Sequence, residues 1–127
     1  MKKFESLIED LKKANKRLKE AVKAKPTRMN KDATLQRFEF TFELSWKTIQ
    51  EWVKDNGLVC KSPKDCFRLA AQLDLIEKPQ VWFDFLKYRN LVAHTYNEKI
   101  ADKIYRQAIK FSSEIDNLLE KIKSRER

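Results

Sequence analysis

Apolar residues recur at helical spacing along almost the whole chain. Phe4, Leu7, Ile8, Leu11, Leu18, Ala21 and Val22 repeat with charges between them, which predicts a first amphipathic helix over roughly Phe4 to Ala24. Pro26 closes it, because the residue before a proline is pushed out of the helical region. A second helix is predicted from Lys31 to Asn56, with Gly57 as its C-terminal cap. Inside it Phe38, Phe40, Phe42, Leu44 and Trp46 alternate with polar residues, which is the period of a strand. The flanks decide for helix. Leu35, Phe38, Phe42, Trp46, Ile49 and Val53 form one stripe, Phe40 and Leu44 form a second, and no turn residue interrupts them. Two apolar stripes imply burial on two sides, one against the core and one against a partner chain.

Ser62-Pro63-Lys64-Asp65 starts a third helix, with serine as N-cap, proline at the first position and an acid in the first turn. It is predicted to run to about Leu75. A fourth begins at Pro79 and carries the largely apolar segment Val81 to Tyr96. Asn97 caps a fifth, from Glu98 to about Lys123, whose stripe is Ile100, Ile104, Ala108, Phe111, Ile115, Leu118, Leu119 and Ile122. Short connections place sequential helices antiparallel. The expected fold is therefore all-α, an up-and-down antiparallel bundle of about five helices with a four-helix core, forming one domain over residues 1–127. A homodimer is expected, because one small bundle cannot bury the doubly apolar second helix and the nearly all-round apolar fourth.

Composition narrows the choice further. One glycine and three prolines in 127 residues are too few for the turns of a β-rich domain. A single glycine also excludes the phosphate loops of Rossmann and P-loop folds. With 42% hydrophobic residues the chain can build a packed core. No run approaches the roughly 20 apolar residues of a transmembrane helix. The N-terminal MKKFESLIEDLKK mixes acids into its apolar pattern, so it reads as an amphipathic helix and not as a signal peptide. Cys60 and Cys66 lack a second pair or a nearby histidine, so zinc spacing is missing. They are predicted to be free thiols in a reducing cytoplasm.

The formal net charge is +9, with lysines and arginines concentrated in Lys12 to Lys25 and Lys121 to Arg127. Such clusters suit nucleic-acid phosphates or an acidic protein partner. Either one alone reads rather as a solvated helix face.

The candidate chemistry lies in Arg89-Asn90-Leu91-Val92-Ala93-His94-Thr95-Tyr96, which holds the only histidine. At about 100° per residue on an ideal helix, Asn90 and His94 share one face and Arg89 and Tyr96 another. The gap between Arg89 and His94 is about 140° by the same geometry. Either a bent arginine side chain or the second chain of a two-fold dimer would close it. An imidazole can take the proton of a ribose 2′-hydroxyl or give one to the leaving 5′-oxygen. A guanidinium can hold two phosphate oxygens. Asn90 could orient the imidazole or the phosphate, and Tyr96 could bond the same phosphate. This chemistry requires neither metal nor cofactor, and none is implied. The structural alternative is that His94 stabilises a helix end as a cation and that Arg89 pairs with Glu39 or Glu43. Glu43 with Lys47 reads as an ordinary i,i+4 surface pair. Glu39 with Glu43 lacks the Glu-x-x-His partner of a carboxylate-bridged metal site. Trp46, Trp52 and Trp82 read as core or interface anchors.

The segment Gln36-Arg37-Phe38-Glu39-Phe40-Thr41-Phe42-Glu43-Leu44-Ser45-Trp46-Lys47 resembles the signature of the nucleotidyltransferase substrate-binding proteins, close relatives of the HepT toxins in the HEPN superfamily. Arg89-Asn90, three residues, then His94-Thr95-Tyr96 matches the HEPN pattern. The resemblance covers nearly the whole chain. It implies a cytoplasmic, all-helical dimer encoded beside a minimal nucleotidyltransferase. In the HepT branch it implies a metal-independent ribonuclease toxin acting on RNA. Arg89 and His94 would be catalytic, Asn90 would support them, and Tyr96 would be the residue that the partner AMPylates to silence the toxin. In the substrate-binding branch it implies a non-catalytic subunit of a two-component nucleotidyltransferase.

Overall fold

Three long helices and two short ones carry the described residues. In the computed structural model, which describes residues 2–125, α1 spans Lys2–Lys23, α2 Arg28–Asp55, α3 Pro63–Gln72, α4 Pro79–Asn90 and α5 Glu98–Arg125. A 3₁₀ turn, Val92–His94, joins α4 to α5. No strand occurs among the described residues, and none of their helices is long and apolar enough to cross a membrane.

Side-chain pairs fix the directions. Lys3 lies 3.6 Å from Glu51, and Arg37 donates to the Arg17 carbonyl at 2.7 Å, so α1 and α2 run antiparallel. Lys31 pairs with Asp102 at 3.2 Å and the Phe38 ring packs on Phe111, so α2 and α5 run parallel. α4 descends between them: Phe85 meets Phe111, and Arg89 meets Glu43. Helices α1, α2, α4 and α5 thus alternate in direction around the core, with α3 inserted where α2 ends. This is the expected all-α bundle.

The caps explain the observed boundaries. Thr27 accepts the Asn30 N–H at 3.1 Å, so α2 starts at Arg28, earlier than predicted. Ser62 accepts from the Asp65 N–H as expected. Gly57, at φ 82°, closes α2: the Leu58 N–H reaches the Val53 carbonyl and the Gly57 N–H reaches Lys54. α3 closes the same way on Asp74, at φ 61°, with Leu75 donating to Ala70 at 2.8 Å. It therefore stops at Gln72 and not near Leu75. Arg125 covers the spent end by donating to the Leu73 and Asp74 carbonyls.

The core is an aromatic cluster. Phe38, Phe42, Phe67, Trp82, Phe85 and Phe111 are almost wholly buried. Phe85 and Trp82 meet Phe111 edge-on at 4.9 and 5.8 Å, and Phe38 meets it at 5.1 Å. The first stripe of α2 supplies Phe38 and Phe42 to this cluster, with Trp46 only half-buried. Of the second stripe, Leu44 packs against the core and Phe40 stays 39% exposed.

The cysteine expectation fails. Cys60 and Cys66, predicted as free thiols, are joined in a disulfide. The Ser62-Pro63 turn folds the chain back on itself, bringing their Cα atoms to 5.1 Å, and both residues are buried. The α1 basic run is partly neutralised by acids: Lys19 bonds Asp116, and Lys12 lies 3.5 Å from Glu9. Of the second basic cluster, Lys121 to Arg127, Glu126 and Arg127 lie outside the described residues.

Candidate functional site

The motif Arg89 to Tyr96 does not sit on one regular helix. α4 ends at Asn90, where neither glycine nor proline marks a stop. The following residues tighten into 3₁₀ geometry, with the His94 N–H on the Leu91 carbonyl at 2.9 Å and the Thr95 N–H on Val92 at 3.3 Å. The Thr95 hydroxyl donates to the same Val92 carbonyl and competes with a continued helix. Two residues on, Asn97 must leave helical geometry to cap α5, where its side chain accepts the Lys99 and Ile100 N–H groups. Leu91 and Val92 pack onto the core and anchor the turn from beneath.

The ideal-helix pairing is therefore replaced. Asn90 with His94 and Arg89 with Tyr96 were expected to share faces. Instead Arg89 Nη1 donates to Asn90 Oδ1 at 3.3 Å, and His94 Nδ1 lies 3.4 Å from the Tyr96 hydroxyl. The His94 and Tyr96 rings stand edge to face, with centroids 6.0 Å apart. No hydrogen bond or ion pair joins the Arg89–Asn90 pair to the His94–Tyr96 pair among the described residues.

Exposure differs between the two pairs. Asn90 and His94 are exposed, and Tyr96 is 84% exposed. Arg89 is partly buried, and its Nη2 lies 2.9 Å from Glu43 Oε2 on α2. The other Glu43 oxygen accepts the Trp46 indole N–H at 3.3 Å. Glu43 thus serves Arg89 and not Lys47. Arg89 Nε is buried without a hydrogen-bond partner. Glu43 was legible as one of two candidate partners for Arg89. Trp46 was not, although its place three residues on, one turn of helix away, was a usable signal.

The arrangement suits proton transfer next to an anion. If Nδ1–H donates to the phenol oxygen, the His94 Nε2 lone pair is left to accept a proton. If the phenol donates, Nε2–H is left to give one. Beyond Tyr96 a cleft of about 590 Å³ opens between the starts of α2 and α5. Leu35, Gln36, Glu39, Thr95, Tyr96 and Asp102 line it, whereas Arg89, Asn90 and His94 do not.

Residues 6–124 match the family model described as nucleotidyltransferase substrate binding protein like. A probable ribonuclease HepT of Haemophilus influenzae is 31% identical over 96 residues. The match spans 72% of this chain and 66% of that relative, just under two thirds of its length. Among solved structures, a crystal structure of a Thermus thermophilus protein is 33% identical with a TM-score of 0.83, over 87% of this chain and 96% of that one. A Haemophilus influenzae protein described as having the fold of a substrate binding domain of a nucleotidyltransferase superposes with a TM-score of 0.79. It is 24% identical over 91% of this chain and 98% of its own, and shares the fold.

Proposed function

Because this chain belongs to the nucleotidyltransferase substrate binding protein-like family, we propose that it is a metal-independent endoribonuclease of HepT type, held silent by a cognate minimal nucleotidyltransferase. The observation that carries this reading is the exposed His94–Tyr96 pair on the turn that directly follows Arg89 and Asn90. His94 takes the proton of a ribose 2′-hydroxyl. The 2′-oxygen attacks phosphorus, the P–O5′ bond breaks, and the leaving 5′-oxygen takes a proton from the imidazolium or from water, giving a 2′,3′-cyclic phosphate. Arg89 offsets the charge that develops on the non-bridging oxygens, and Asn90 supports it.

In this reading the chain is a homodimer. The 33%-exposed Arg89 of one protomer and His94 of its partner then face one phosphate across the two-fold axis, which would explain why no contact joins the pairs within a chain. Silencing acts on Tyr96: its phenol oxygen attacks the α-phosphorus of ATP, pyrophosphate leaves, the phenolic proton is lost, and AMP stays on the ring. The added phosphate pairs with Arg89 and fills the place of the substrate phosphate. The proposed substrate and partner belong to the cytoplasm. There the near-complete burial of Cys60 and Cys66 shields their bond from thiol reductants.

The 590 Å³ cleft beside Tyr96 favours a second reading, a non-catalytic subunit that presents substrate to a separate nucleotidyltransferase. Expression separates the two. Produced alone, a ribonuclease arrests its host and is relieved by His94→Ala or by the partner. A binding subunit leaves growth unchanged.

A further inference from the structure

We infer that Glu43 is the positioning residue for Arg89, and that Trp46 holds Glu43 in turn. The inference rests on the ribonuclease reading and adds residues that touch no substrate. It also gives a role to polar atoms of the α2 motif that packing alone leaves unexplained. Phe38, Thr41, Phe42 and Ser45 are buried in the bundle, but Glu43 and Trp46 are half-buried and polar atoms of both are engaged.

Geometry separates positioning from blocking. A carboxylate that blocked Arg89 would bridge the guanidinium fork with both oxygens. Here one Glu43 oxygen is occupied by the Trp46 indole, so only the other meets Arg89, at Nη2. Nε has no partner and is buried, out of reach of substrate. Asn90 takes one N–H from Nη1. Each terminal nitrogen carries two N–H groups, so one remains uncommitted on each. Those two suit a pair of phosphate oxygens. Glu43 from α2 and Asn90 from α4 therefore hold the guanidinium from two sides and leave a donor pair for the phosphate.

An unheld arginine at one-third exposure samples many rotamers, and a displacement of about 1 Å at a catalytic group costs on the order of 100-fold in rate. Arg89 and Trp46 meet different oxygens of Glu43, and a glutamine turns one of those oxygens into an NH2 donor, so it keeps one of the two contacts and loses the other. Trp46→Phe keeps the ring and removes only the N–H.

The test combines two readouts on the purified full chain. The first is modification of Arg89 by a dicarbonyl reagent, read by peptide mass spectrometry, which needs no RNA. Glu43→Gln should speed it about tenfold and Trp46→Phe about threefold. The second is steady-state RNA cleavage at unchanged helicity and melting temperature. Glu43→Gln should lower kcat at least tenfold with KM shifted less than threefold, and Trp46→Phe should give a smaller loss of the same kind. Unchanged modification rates, or a Glu43→Gln chain that cleaves RNA as fast as or faster than the unaltered one, would overturn the inference. If the unaltered chain cleaves no RNA while Arg89 stays protected, the ribonuclease reading fails instead. The positioning role falls with it, and a structural ion pair is left.

Discussion

His94 and Tyr96 face each other across the turn after α4, ring nitrogen Nδ1 to phenol oxygen, at 3.4 Å. That distance is long for a hydrogen bond, and both side chains are exposed. The phenol is thus fixed near the imidazole but open to a second macromolecule. A core tyrosine could not be reached by a modifying enzyme without local unfolding.

On the proposed function, Tyr96 should therefore be modified when the chain is co-expressed with a nucleotidyltransferase encoded beside it. Intact-mass and peptide mass spectrometry should find one or more AMP units on the peptide containing Tyr96, and none in Tyr96→Phe. A stable complex with an unmodified chain would point to inhibition by binding.

The helix period was legible in the sequence even where it imitated a strand. Phe38 and Phe42 went to the core while Phe40 between them stayed exposed, which a 3.6-residue repeat produces and a strand does not. Caps built on Ser62, Asn97 and Gly57 were legible because their side chains, or the absence of one, carry the signal. The Asp74 cap was not, since its left-handed backbone is imposed by closure onto Ala70 and by Arg125 arriving from the far end of the chain. The end of α4 was hidden for a similar reason. Nothing in Leu91 to Tyr96 forbids a helix, and it is Asn97, engaged in capping α5, that ends it. The role of Glu43 depends on α4 packing against α2, a long-range contact that no local spacing encodes.

Gly57 holds a positive φ with nothing within 4 Å of where a Cβ would stand. Gly57→Ala therefore meets no clash, and its cost is backbone conformation alone. It should destabilise the fold by about 1 kcal/mol. Thermal unfolding should show the midpoint lower by about 4 °C. An unchanged midpoint would mean that the α2 cap relaxes freely.

The Cys60–Cys66 bond predicts a thiol count. Protein purified and denatured without reductant should show no free thiol, and two after reduction. Cys60→Ala/Cys66→Ala should lose about 2–3 kcal/mol of stability, mostly through the freer unfolded chain. Two thiols before reduction would restore the reading of the sequence alone.

RNA cleavage by the purified chain, with His94→Ala and Arg89→Ala alongside, decides whether the Arg89–His94 pair is a ribonuclease site. It should be run with EDTA and across about pH 5 to 8, the range in which histidine serves as acid or base. Cleavage should persist in EDTA and be abolished by either substitution, with helicity and dimer mass unchanged. No cleavage at any pH in that range, or cleavage that survives His94→Ala, would contradict it.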